Sequence, residues 1–359
     1  MASHPPSLSS LPVIFITGGA GYIGSHFLDN WSRVGRDYFE SHQLVILDDL
    51  SGGHLETIET LNQEMSRNYL PGLILERVDL RDLEALYALF EKYLPKAVIH
   101  FAGKISVAES VANPELYLQV NVVGSENLLQ AMQKFECKKI VFSSTAAVYG
   151  NVEKVTAITE DFPLHPLSPY GHSKLLIEEA IQDCAAQWGL QAVIFRYFNA
   201  AGATLSGILG EWHEPETHLI PLLIESILKR KSEFKVFGND YPTRDGTCVR
   251  DYIHVADLAH AHILGLARLF KNEVQGVETY NLGTENGTSV LEVIEAAKKV
   301  TKKEVKSLEF DRRDGDAAYL IASSAKAKKI LGWEPIHSDI ETILRTAFVW
   351  HQKTVILDE

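Results

Sequence analysis

Short apolar segments alternate with amphipathic segments through the first half of the chain. Several of the apolar segments are apolar on both faces, which is typical of buried parallel strands. The apolar segments are Pro12–Thr17, Gln43–Asp48, Leu73–Asp79, Ala97–His100, Lys139–Ser144 and Gln191–Tyr197. Helical periodicity covers about Tyr22–Val34, Arg81–Tyr93, Pro114–Lys134 and Pro169–Trp188. Repeated alternation of strand and helix predicts an α/β fold with a doubly wound parallel sheet of the Rossmann type, up to about Phe198.

Beyond Ala200 polar, glycine-bearing segments separate shorter elements. We predict helices at Leu219–Lys231, Val255–Phe270, Ser289–Val300, Ser324–Leu331 and Asp339–Gln352, strands at Phe234–Phe237, Thr279–Leu282 and Val305–Phe310, and a long loop at Gly238–Asp251. The expected division is a disordered tail at 1–10, a sheet domain at 11–198 and a smaller mixed α/β lobe at 199–359. We expect this lobe over the carboxyl edge of the sheet, where open α/β sheets bind ligands.

The composition of the 359 residues agrees with such a fold and excludes other classes. Apolar residues make up 46% and charged residues 23%, which rules out collagen, long disorder and a coiled coil. No apolar run approaches the ~18 residues that span a bilayer. The N-terminal MASHPPSLSS lacks the basic and apolar regions of a secretory signal. We therefore expect no transmembrane helix and no membrane partner.

Charge and cysteine content narrow the partners and the compartment. Lys and Arg total 34 against 47 Asp and Glu, a formal net charge of −13. Because phosphates repel so acidic a chain, nucleic acid is excluded as a bulk partner, and an anionic ligand needs a local arrangement of donors. The three cysteines, Cys137, Cys184 and Cys248, are odd in number and lack metal-ligand or redox spacing. They predict a reducing, cytoplasmic location and no structural zinc.

A glycine-rich segment directly follows the first predicted strand and opens a helix. Its glycines Gly18, Gly21 and Gly24 let the chain turn tightly, let backbone approach a pyrophosphate and let helix pack against strand. Phosphates would then face the helix N-terminus. Asp48 ends the second strand, and a carboxylate there accepts both ribose hydroxyls and repels a 2′-phosphate. The pattern predicts NAD rather than NADP; the alternative is a plain tight turn with a solvated Asp.

Tyr170 and Lys174 stand four residues apart and so share one face of a predicted helix. A free tyrosine has a pKa of about 10 and is a poor base at neutral pH, but a neighbouring ammonium and a bound nicotinamide cation stabilise the phenolate. A pKa lower by about three needs roughly 4 kcal/mol of stabilisation. Thr145 follows the fifth strand and can polarise or relay a proton to a substrate hydroxyl. The alternatives are a surface Tyr–Lys pair and a Ser/Thr loop that satisfies its own backbone.

These motifs together resemble the extended short-chain dehydrogenase/reductase family. More specific strings occur in order at His100–Gly103, Arg196–Asn199, Phe237–Tyr241, Asp245–Thr247, Val249–His254 and Arg312–Asp316. From about Leu11 to His351 they are similar to the UDP-glucose 4-epimerase branch of that family. The resemblance implies NAD as cofactor, a UDP-hexose as substrate bound mainly by the 199–359 lobe, and a homodimer built from the helices Pro114–Lys134 and Pro169–Trp188.

The resemblance also implies which residues bind each ligand. The residues implied to bind the cofactor are Gly18, Gly21, Tyr22, Ile23, Gly24, Asp48, Asp49, Leu50, Ser51, Gly52, Gly53, Asp79, Leu80, Phe101, Ala102, Gly103, Lys104, Ile105, Asn121, Tyr170, Lys174 and Phe198. Those implied to bind the substrate are Thr145, Tyr170, Asn199, His218, Leu219, Lys235, Phe237, Arg250, Val290, Arg313, Asp316 and Leu320. The catalytic residues would be Tyr170, Lys174 and Thr145.

Several of these assignments have a plain alternative or depart from the family pattern. Arg250 and Arg313 suit bidentate contacts to a diphosphate, and the alternative for each is a surface salt bridge. Phe237 would face uracil or else belong to the core.

Two positions depart from the family pattern. Several relatives carry Asn in place of His218. Relatives often have a lysine two positions after the Phe-Ala-Gly string, whereas here Lys104 follows the string directly and Ile105 takes the second position. The remaining histidines, including His100 and His254, lack ligand spacing and are interpreted as structural, with no metal expected.

The activity that the resemblance implies is reversible inversion at C4 of UDP-glucose and UDP-galactose. The ungapped alignment places Leu320 at the pocket wall near C2, where a bulky tyrosine excludes N-acetylated sugars; a one-residue shift would place Tyr319 there. UDP-N-acetylglucosamine is therefore an expected second substrate. The alternatives are a UDP-sugar dehydratase or decarboxylase and a non-catalytic dinucleotide sensor. Ala146 and Ala147, where dehydratase relatives carry Asp-Glu, disfavour the dehydratase, and the presence of Tyr170 and Lys174 disfavours the sensor.

Overall fold

The predicted strands of the first half join one large sheet. Among the described residues it has seven strands in the order β3–β2–β1–β4–β5–β6–β10, namely β1 (Val13–Thr17), β2 (Gln43–Asp48), β3 (Ile74–Arg77), β4 (Ala97–His100), β5 (Lys139–Thr145), β6 (Gln191–Tyr197) and β10 (Val277–Leu282). The pairs β1–β2, β1–β4, β2–β3 and β4–β5 are parallel. Every residue of β1 and β2 is buried, as expected of strands covered by helices on both faces. This strand order is that of the Rossmann fold, and the predicted fold class is confirmed.

Helices connect these strands, and their bounds largely follow the predicted periodicity. They are α1 (Tyr22–Val34), α2 (Leu55–Arg67), α3 (Leu83–Tyr93), α4 (Val107–Ala112), α5 (Pro114–Tyr117), α6 (Gly124–Lys134), α7 (Pro169–Trp188) and α9 (Val255–Phe270). Sequence analysis did not identify α2 and α4. It also treated Pro114–Lys134 as one helix, whereas a π-helical turn at Leu118–Val123 interrupts it. Phe15 of β1 and Phe90 of α3 meet edge-to-face, with ring centroids 5.0 Å apart, in the core below this part of the sheet.

The second half of the chain builds two small sheets. β9 (Val249–His254) is parallel to β7 (Asn199–Ala201) and to β13 (Tyr319–Leu320), and antiparallel to β11 (Gly287–Ser289). β8 (Phe234–Phe237) and β12 (Ser307–Phe310) form a parallel pair. The prediction of a loop through Gly238–Asp251 is wrong at its end, because Val249 to Asp251 are already paired in β9. The turn-forming residues that precede Val249 led to the prediction of a loop where β9 begins.

Helices α8 (Leu219–Ile227), α10 (Val290–Thr301), α11 (Ala325–Leu331) and α12 (Ile340–Leu357) accompany these small sheets. α10 begins with a capping box: Ser289 Oγ accepts from the Glu292 amide, and Glu292 Oε2 accepts from the Ser289 amide at 2.9 Å. None of the helices in the described ranges is long and apolar enough to cross a membrane.

The computed structural model describes residues 11–39, 41–67, 70–151, 157–229, 233–313 and 317–357. The tail expected at 1–10 lies outside these residues. The described residues fall into two compact units, one within 11–143, 173–194 and 262–278, and the other within 144–172, 195–261 and 279–357. The first unit contains the glycine-rich turn, and the second contains Thr145, Tyr170 and the predicted sugar-nucleotide residues.

Candidate active site

The glycine-rich turn between β1 and α1 has the backbone geometry of an anion site. Gly18 has a φ of +69°, in the left-handed region that favours glycine. A Cβ at Gly18 would lie 2.5 Å from the Ala102 amide nitrogen, and a Cβ at Gly24 would overlap the Gly18 carbonyl oxygen. α1 begins after Gly21 with neither a side-chain cap nor an acidic residue in its first turn, among the residues described. Its N–H groups and dipole therefore favour a phosphate at this end.

Asp48 closes β2 beside this turn. Its Oδ2 accepts a hydrogen bond from the Ala20 amide at 3.0 Å, and its Oδ1 accepts one from the Leu50 amide at 2.9 Å. Burial raises the pKa of Asp48, and these two hydrogen bonds oppose the rise. The following residues also return to the turn, since a Cβ at Gly53 would lie 2.7 Å from the Ala20 Cβ. The structure thus brings Asp48 and the predicted Asp49–Gly53 segment to the glycine turn.

Asn121 ties down the segment that follows β4. Its Oδ1 accepts from the Lys104 amide at 2.7 Å, and its Nδ2 donates to the Lys104 carbonyl oxygen at 3.0 Å and to Ser173 Oγ at 3.1 Å. It lies in the π-helical turn, a feature frequent at functional sites. Gly103 has a φ of +149°, and a Cβ there would lie 3.0 Å from Asn121 Oδ1. Asn121 therefore holds Phe101–Ile105 by its backbone.

Lys174 is a buried amine with a lowered proton affinity. Its Nζ donates to the Ser143 carbonyl oxygen at 3.1 Å and lies 5.0 Å from the ring centroid of Phe142. Burial lowers the pKa of Lys174 to about 8, against the charge of Glu178, which raises it. A surface Tyr–Lys pair, the alternative for this motif, does not fit a lysine that is 2% exposed.

His100 confirms the prediction of a structural histidine. It is buried and bonded on both ring nitrogens, Nδ1 to Thr17 Oγ1 at 2.6 Å and Nε2 to Ser125 Oγ at 2.8 Å. Burial and the charge of Lys174 lower its pKa to about 3, so the ring is neutral at physiological pH. His254 is structural as well, since its Nε2 lies 3.1 Å from Thr346 Oγ1.

Thr145 and Tyr170 form a buried hydroxyl pair. A hydrogen bond from Thr145 lowers the pKa of Tyr170, but burial raises it by more, so Tyr170 is a neutral phenol in the chain by itself. The lowered pKa expected at the sequence level depended partly on a bound nicotinamide cation, which the chain alone does not supply. Thr145 Oγ1 also accepts from the Ala147 amide at 3.2 Å. Thr145 thus does bond to local backbone, as the alternative for this residue held. Its catalytic role stays a prediction.

Gly171 is a residue that sequence analysis did not single out here. A Cβ at this position would lie 2.7 Å from the Ala147 carbonyl oxygen. The first turn of α7 can thus pack directly on the segment after β5, which brings Tyr170 beside Thr145. The glycine inside the Tyr-Gly-His-Ser-Lys string was the available signal.

Three further residues predicted to contact the cofactor, Asp79, Leu80 and Phe198, have structural environments of their own in the chain. Asp79 forms a salt bridge with Arg81 at 2.5 Å, and this bond lowers the pKa of Asp79. Leu80 and Phe198 are buried, and the Phe198 amide donates to the Leu282 carbonyl oxygen at 3.3 Å. Their contacts with a cofactor stay predictions.

In the second unit, Arg250 and Leu320 are register partners in β9 and β13. Directly paired residues of parallel strands point to the same face, so the two side chains share a face and Tyr319 shares the other with buried Val249. Arg250 Nη1 donates to the Ala317 carbonyl oxygen at 2.7 Å, so this bond to backbone holds its guanidinium.

Phe237 and Arg313 stack on each other. The Arg313 guanidinium carbon lies 3.9 Å from the Phe237 ring centroid, a cation–π geometry. The neighbouring Arg312 instead pairs with Asp240 at 2.6 Å. Asp316 lies outside the described residues.

The other predicted substrate residues are distributed over the same unit. His218 precedes α8 and Leu219 is its first residue, while His218 Nδ1 faces Glu216 Oε1 at 2.8 Å. Asn199 Nδ2 donates to the Asp251 carbonyl oxygen at 3.1 Å. The remaining two are Lys235, whose Nζ lies 5.1 Å from the Phe310 ring centroid, and Val290, whose amide donates to Thr247 Oγ1 at 3.1 Å.

Comparison with known proteins agrees with this geometry. A sequence profile of the GDP-mannose 4,6 dehydratase family matches residues 15–346. The chain is 43% identical to a UDP-glucose 4-epimerase of Rhizobium meliloti (strain 1021) over 342 residues, which cover 95% of this chain and 97% of that protein.

Solved structures give the same result. The UDP-glucose-4-epimerase of Stenotrophomonas maltophila, with bound NAD and formylated UDP-arabinopyranose, superposes with a TM-score of 0.89 at 37% identity, covering 97% of this chain and 99% of that one. The UDP-Glc/GlcNAc 4-epimerase of Campylobacter jejuni superposes with a TM-score of 0.79 at 38% identity, covering 95% of this chain and 99% of that one.

Proposed function

The chain belongs to the UDP-glucose 4-epimerase family, and from this premise we propose that it interconverts UDP-glucose and UDP-galactose by transient NAD-dependent oxidation at C4. The single observation that carries the proposal is the buried Thr145–Tyr170 hydroxyl pair, on a chain that also carries a dinucleotide turn. An enzyme that removes a hydroxyl proton and moves a hydride needs both parts.

The residues present fit NAD. The glycine turn provides a cradle that a Cβ would fill, and the uncapped start of α1 favours a pyrophosphate. The Asp48 carboxylate, held by the Ala20 and Leu50 amides, would accept the adenosine ribose hydroxyls and repel a 2′-phosphate. The segments Asp49–Gly53 and Phe101–Ile105, together with Asp79, Leu80 and Asn121, would border the rest of the dinucleotide. When bound, NAD supplies reversible hydride transfer at C4 of the sugar.

Tyr170 would act as the base for the sugar 4-hydroxyl. Thr145 donates to its phenolic oxygen and would hold both that oxygen and the 4-hydroxyl in line. Because Lys174 is buried, solvent screens the charge of its ammonium only weakly, and this charge would stabilise the phenolate. The same Tyr170 would return the proton when the alcohol re-forms. Because the hydride removed from C4 would return to C4 as well, the reaction would have no net redox change.

The UDP part would be held by the lobe while the hexose turns. Arg250 and Arg313 would bind the diphosphate, and Phe237 would face the uracil ring. Asn199, His218, Leu219, Lys235, Val290 and Asp316 complete the proposed contacts. Because the hydride must return to the opposite face of C4, the nucleotide has to stay bound while the sugar rotates.

Leu320 supports a second substrate. It shares a face of the β9–β13 pair with Arg250, whereas Tyr319 lies on the other face, so the ungapped alignment has the support of strand register. A leucine near C2 leaves more room for an acetamido group than a tyrosine does. We include UDP-N-acetylglucosamine as a substrate, as the Campylobacter jejuni relative described as a UDP-Glc/GlcNAc 4-epimerase suggests.

Incubation of the purified chain with UDP-galactose, without added cofactor, tests the proposal. We expect UDP-glucose to form, and denaturation of the same sample to release NAD rather than NADP. A nucleotide sugar that has lost water would instead identify a dehydratase, although Ala146 and Ala147 provide no acid or base for that reaction. Absence of any conversion by NAD-loaded protein would contradict the proposal.

Assembly and location belong to the proposal as well. The region α4–α6 exposes apolar side chains, with Val111 65% and Leu118 39% exposed, which supports a homodimer through Pro114–Lys134 and Pro169–Trp188. Cys137, Cys184 and Cys248 carry thiols rather than disulfide bonds, which is usual for a protein of the reducing cytoplasm.

A further inference from the structure

A short segment before α8, which includes the predicted substrate residue His218, gathers chemically distinctive side chains. Within the described ranges, Glu211, His213, Glu216 and His218 each bring one ligand atom into a group whose atoms all lie within 4.8 Å of one another. They occur as Glu-x-His-x-x-Glu-x-His. Sequence analysis found no ligand spacing among the remaining histidines and did not consider the alternation of His with Glu in this segment.

The distances within this His/Glu cluster are those of a small coordination polyhedron. His218 Nδ1 lies 3.1 Å from Glu211 Oε1 and 2.8 Å from Glu216 Oε1. His213 Nδ1 lies 3.4 Å from Glu211 Oε1 and 3.7 Å from Glu216 Oε2. Nitrogen and oxygen ligands bound tetrahedrally to Zn²⁺ are separated by about 3.3 Å. The observed distances bracket that value, so an ion at the centre would require small movements.

Burial makes positive charge necessary here. The side chains of Glu211 and Glu216 are only 4% and 6% exposed, and buried carboxylates are costly unless paired or coordinated to metal. The cluster therefore attracts either two protons or one dication.

One dication satisfies this charge better than two protons do. The His213 and His218 ring centroids are 5.0 Å apart, so two imidazolium charges at these positions would repel each other. A divalent ion in the centre removes this repulsion, because both imidazoles are then neutral ligands. Two carboxylates, two neutral imidazoles and a dication also sum to zero charge.

The geometry points to a structural Zn²⁺ site formed by Glu211, His213, Glu216 and His218. Imidazole nitrogen and carboxylate oxygen are ordinary zinc ligands, and four protein ligands make the closed, tetrahedral set typical of structural sites. Glu216 Oε1 also accepts from the Thr217 and His218 amides, each at 2.7 Å, which orients this ligand. The ion would fix the segment Glu211–His218, and with it the start of α8, independently of turnover.

Metal analysis of the full-length chain tests this site. The chain, with any affinity tag removed, is stripped with EDTA, re-equilibrated with ZnCl₂, freed of excess zinc and measured by mass spectrometry. We expect about one Zn²⁺ per chain in wild type, and a retention roughly tenfold or more lower in His213→Gln and Glu211→Gln. His165→Gln, which changes an exposed histidine outside the cluster, should retain the wild-type amount. Co²⁺ in place of Zn²⁺ should give the visible absorption of a four-coordinate ion in wild type and in this control, but not in the two cluster variants.

Two further readouts keep the test decisive if a cluster variant does not fold. Zinc should raise the melting temperature of the stripped wild type. Its affinity, titrated against a chromophoric chelator, should fall between pH 8 and pH 6 because protons compete for both imidazoles. Wild type that retains no zinc, variants that retain as much as wild type, or a pH-independent affinity would each overturn the site. The cluster would then be held by His–Glu ion pairs alone.

Discussion

Burial controls the proton affinity of the two groups that matter most for the proposed chemistry. It raises the pKa of Tyr170 and lowers the pKa of Lys174 to about 8, so it disfavours the charged form of each. A phenolate at Tyr170 therefore depends on positive charge supplied nearby.

Replacing Tyr170 by Phe tests the base directly. The change keeps the ring and removes the ionisable oxygen, so turnover should fall by ~10²-fold or more while bound NAD is retained. Steady-state kinetics and the cofactor content of the same sample give the comparison. Tyr87→Phe, which removes an exposed hydroxyl bonded to Gln130, should leave both unchanged. Near wild-type turnover in Tyr170→Phe would exclude it as the base.

Lys174 should make the free energy of unfolding rise with pH. Its pKa is about 8 in the folded chain against 10.5 for the ordinary amine, so between these values the unfolded chain holds the proton and the folded chain does not. Stability must then increase with pH across this window, by up to roughly 3 kcal/mol relative to Lys174→Met. Denaturant unfolding of both proteins at matched cofactor content, from pH 7 to pH 10, measures it. A difference that stays constant would mean that Lys174 does not titrate there.

Leu320→Tyr should narrow the substrate range. A tyrosine on the face shared with Arg250 would occupy the space proposed for an acetamido group. We expect kcat/KM to fall by roughly tenfold or more for UDP-N-acetylglucosamine and to change little for UDP-glucose. Tyr319→Phe is the control, since Tyr319 lies on the other face. If wild type leaves the acetylated sugar unchanged, or if Leu320→Tyr preserves the ratio of the two values, the pocket assignment is wrong.

At the scale of elements, the proposed cofactor site is formed by chain segments that follow parallel strands. The turn after β1 packs on Ala102 after β4, and Asp48 at the end of β2 bonds to Ala20 of the same turn. The contacts are so close that side-chain atoms are not tolerated at particular glycines. Backbone approach, rather than side-chain chemistry, therefore defines this part of the site.

Gly24→Ala tests that close approach. Its Cβ would overlap the Gly18 carbonyl oxygen, so α1 must move away from the turn. We expect lower NAD content after purification and a loss of roughly 1–3 kcal/mol in stability, as overpacking costs. Gly72→Ala is the matched control, because its Cβ would lie 3.4 Å from the nearest atom, Asn62 Oδ1. Equal NAD content in both variants would show that the turn tolerates the extra methyl.

At the scale of the whole molecule, the chain combines a strongly acidic composition with an exposed apolar region on α4–α6. The net charge of −13 keeps copies apart unless a specific surface joins them. Val107, Val111 and Leu118, between 39% and 65% exposed, supply such a surface next to the predicted interface helices. This is the physical basis for proposing a homodimer.

Leu118→Glu should separate the proposed dimer. Light scattering of wild type should give twice the 40.0 kDa chain mass, and the variant should shift toward the monomer because a buried carboxylate in the interface is costly. NAD content reports whether the variant is folded. Ile336→Glu, which changes a 74% exposed residue outside these helices, should remain dimeric. A monomeric wild type would contradict the assembly.

The sequence by itself determined those features that depend on neighbours along the chain. Hydrophobic period predicted the sheet and most helices, and local spacing identified the glycine turn, Asp48, Thr145 and the Tyr170–Lys174 pair. Each of these signals involves residues that are close together in the chain. Over such short distances the backbone geometry alone determines which side chains share a face. The loop assigned to Gly238–Asp251 failed for the converse reason, because β9 is defined by partners distant in sequence.

Only the tertiary structure decided which groups are buried and what they contact. The proton affinities of Tyr170 and Lys174, the anchoring of Lys104 by Asn121, and the stacking of Arg313 on Phe237 all join or depend on residues far apart in the chain. Desolvation depends on every atom that packs around a group, and no local pattern encodes that sum. The His/Glu cluster lies between these cases: its residues are adjacent in sequence, but the burial that makes two carboxylates require positive charge is set by the fold.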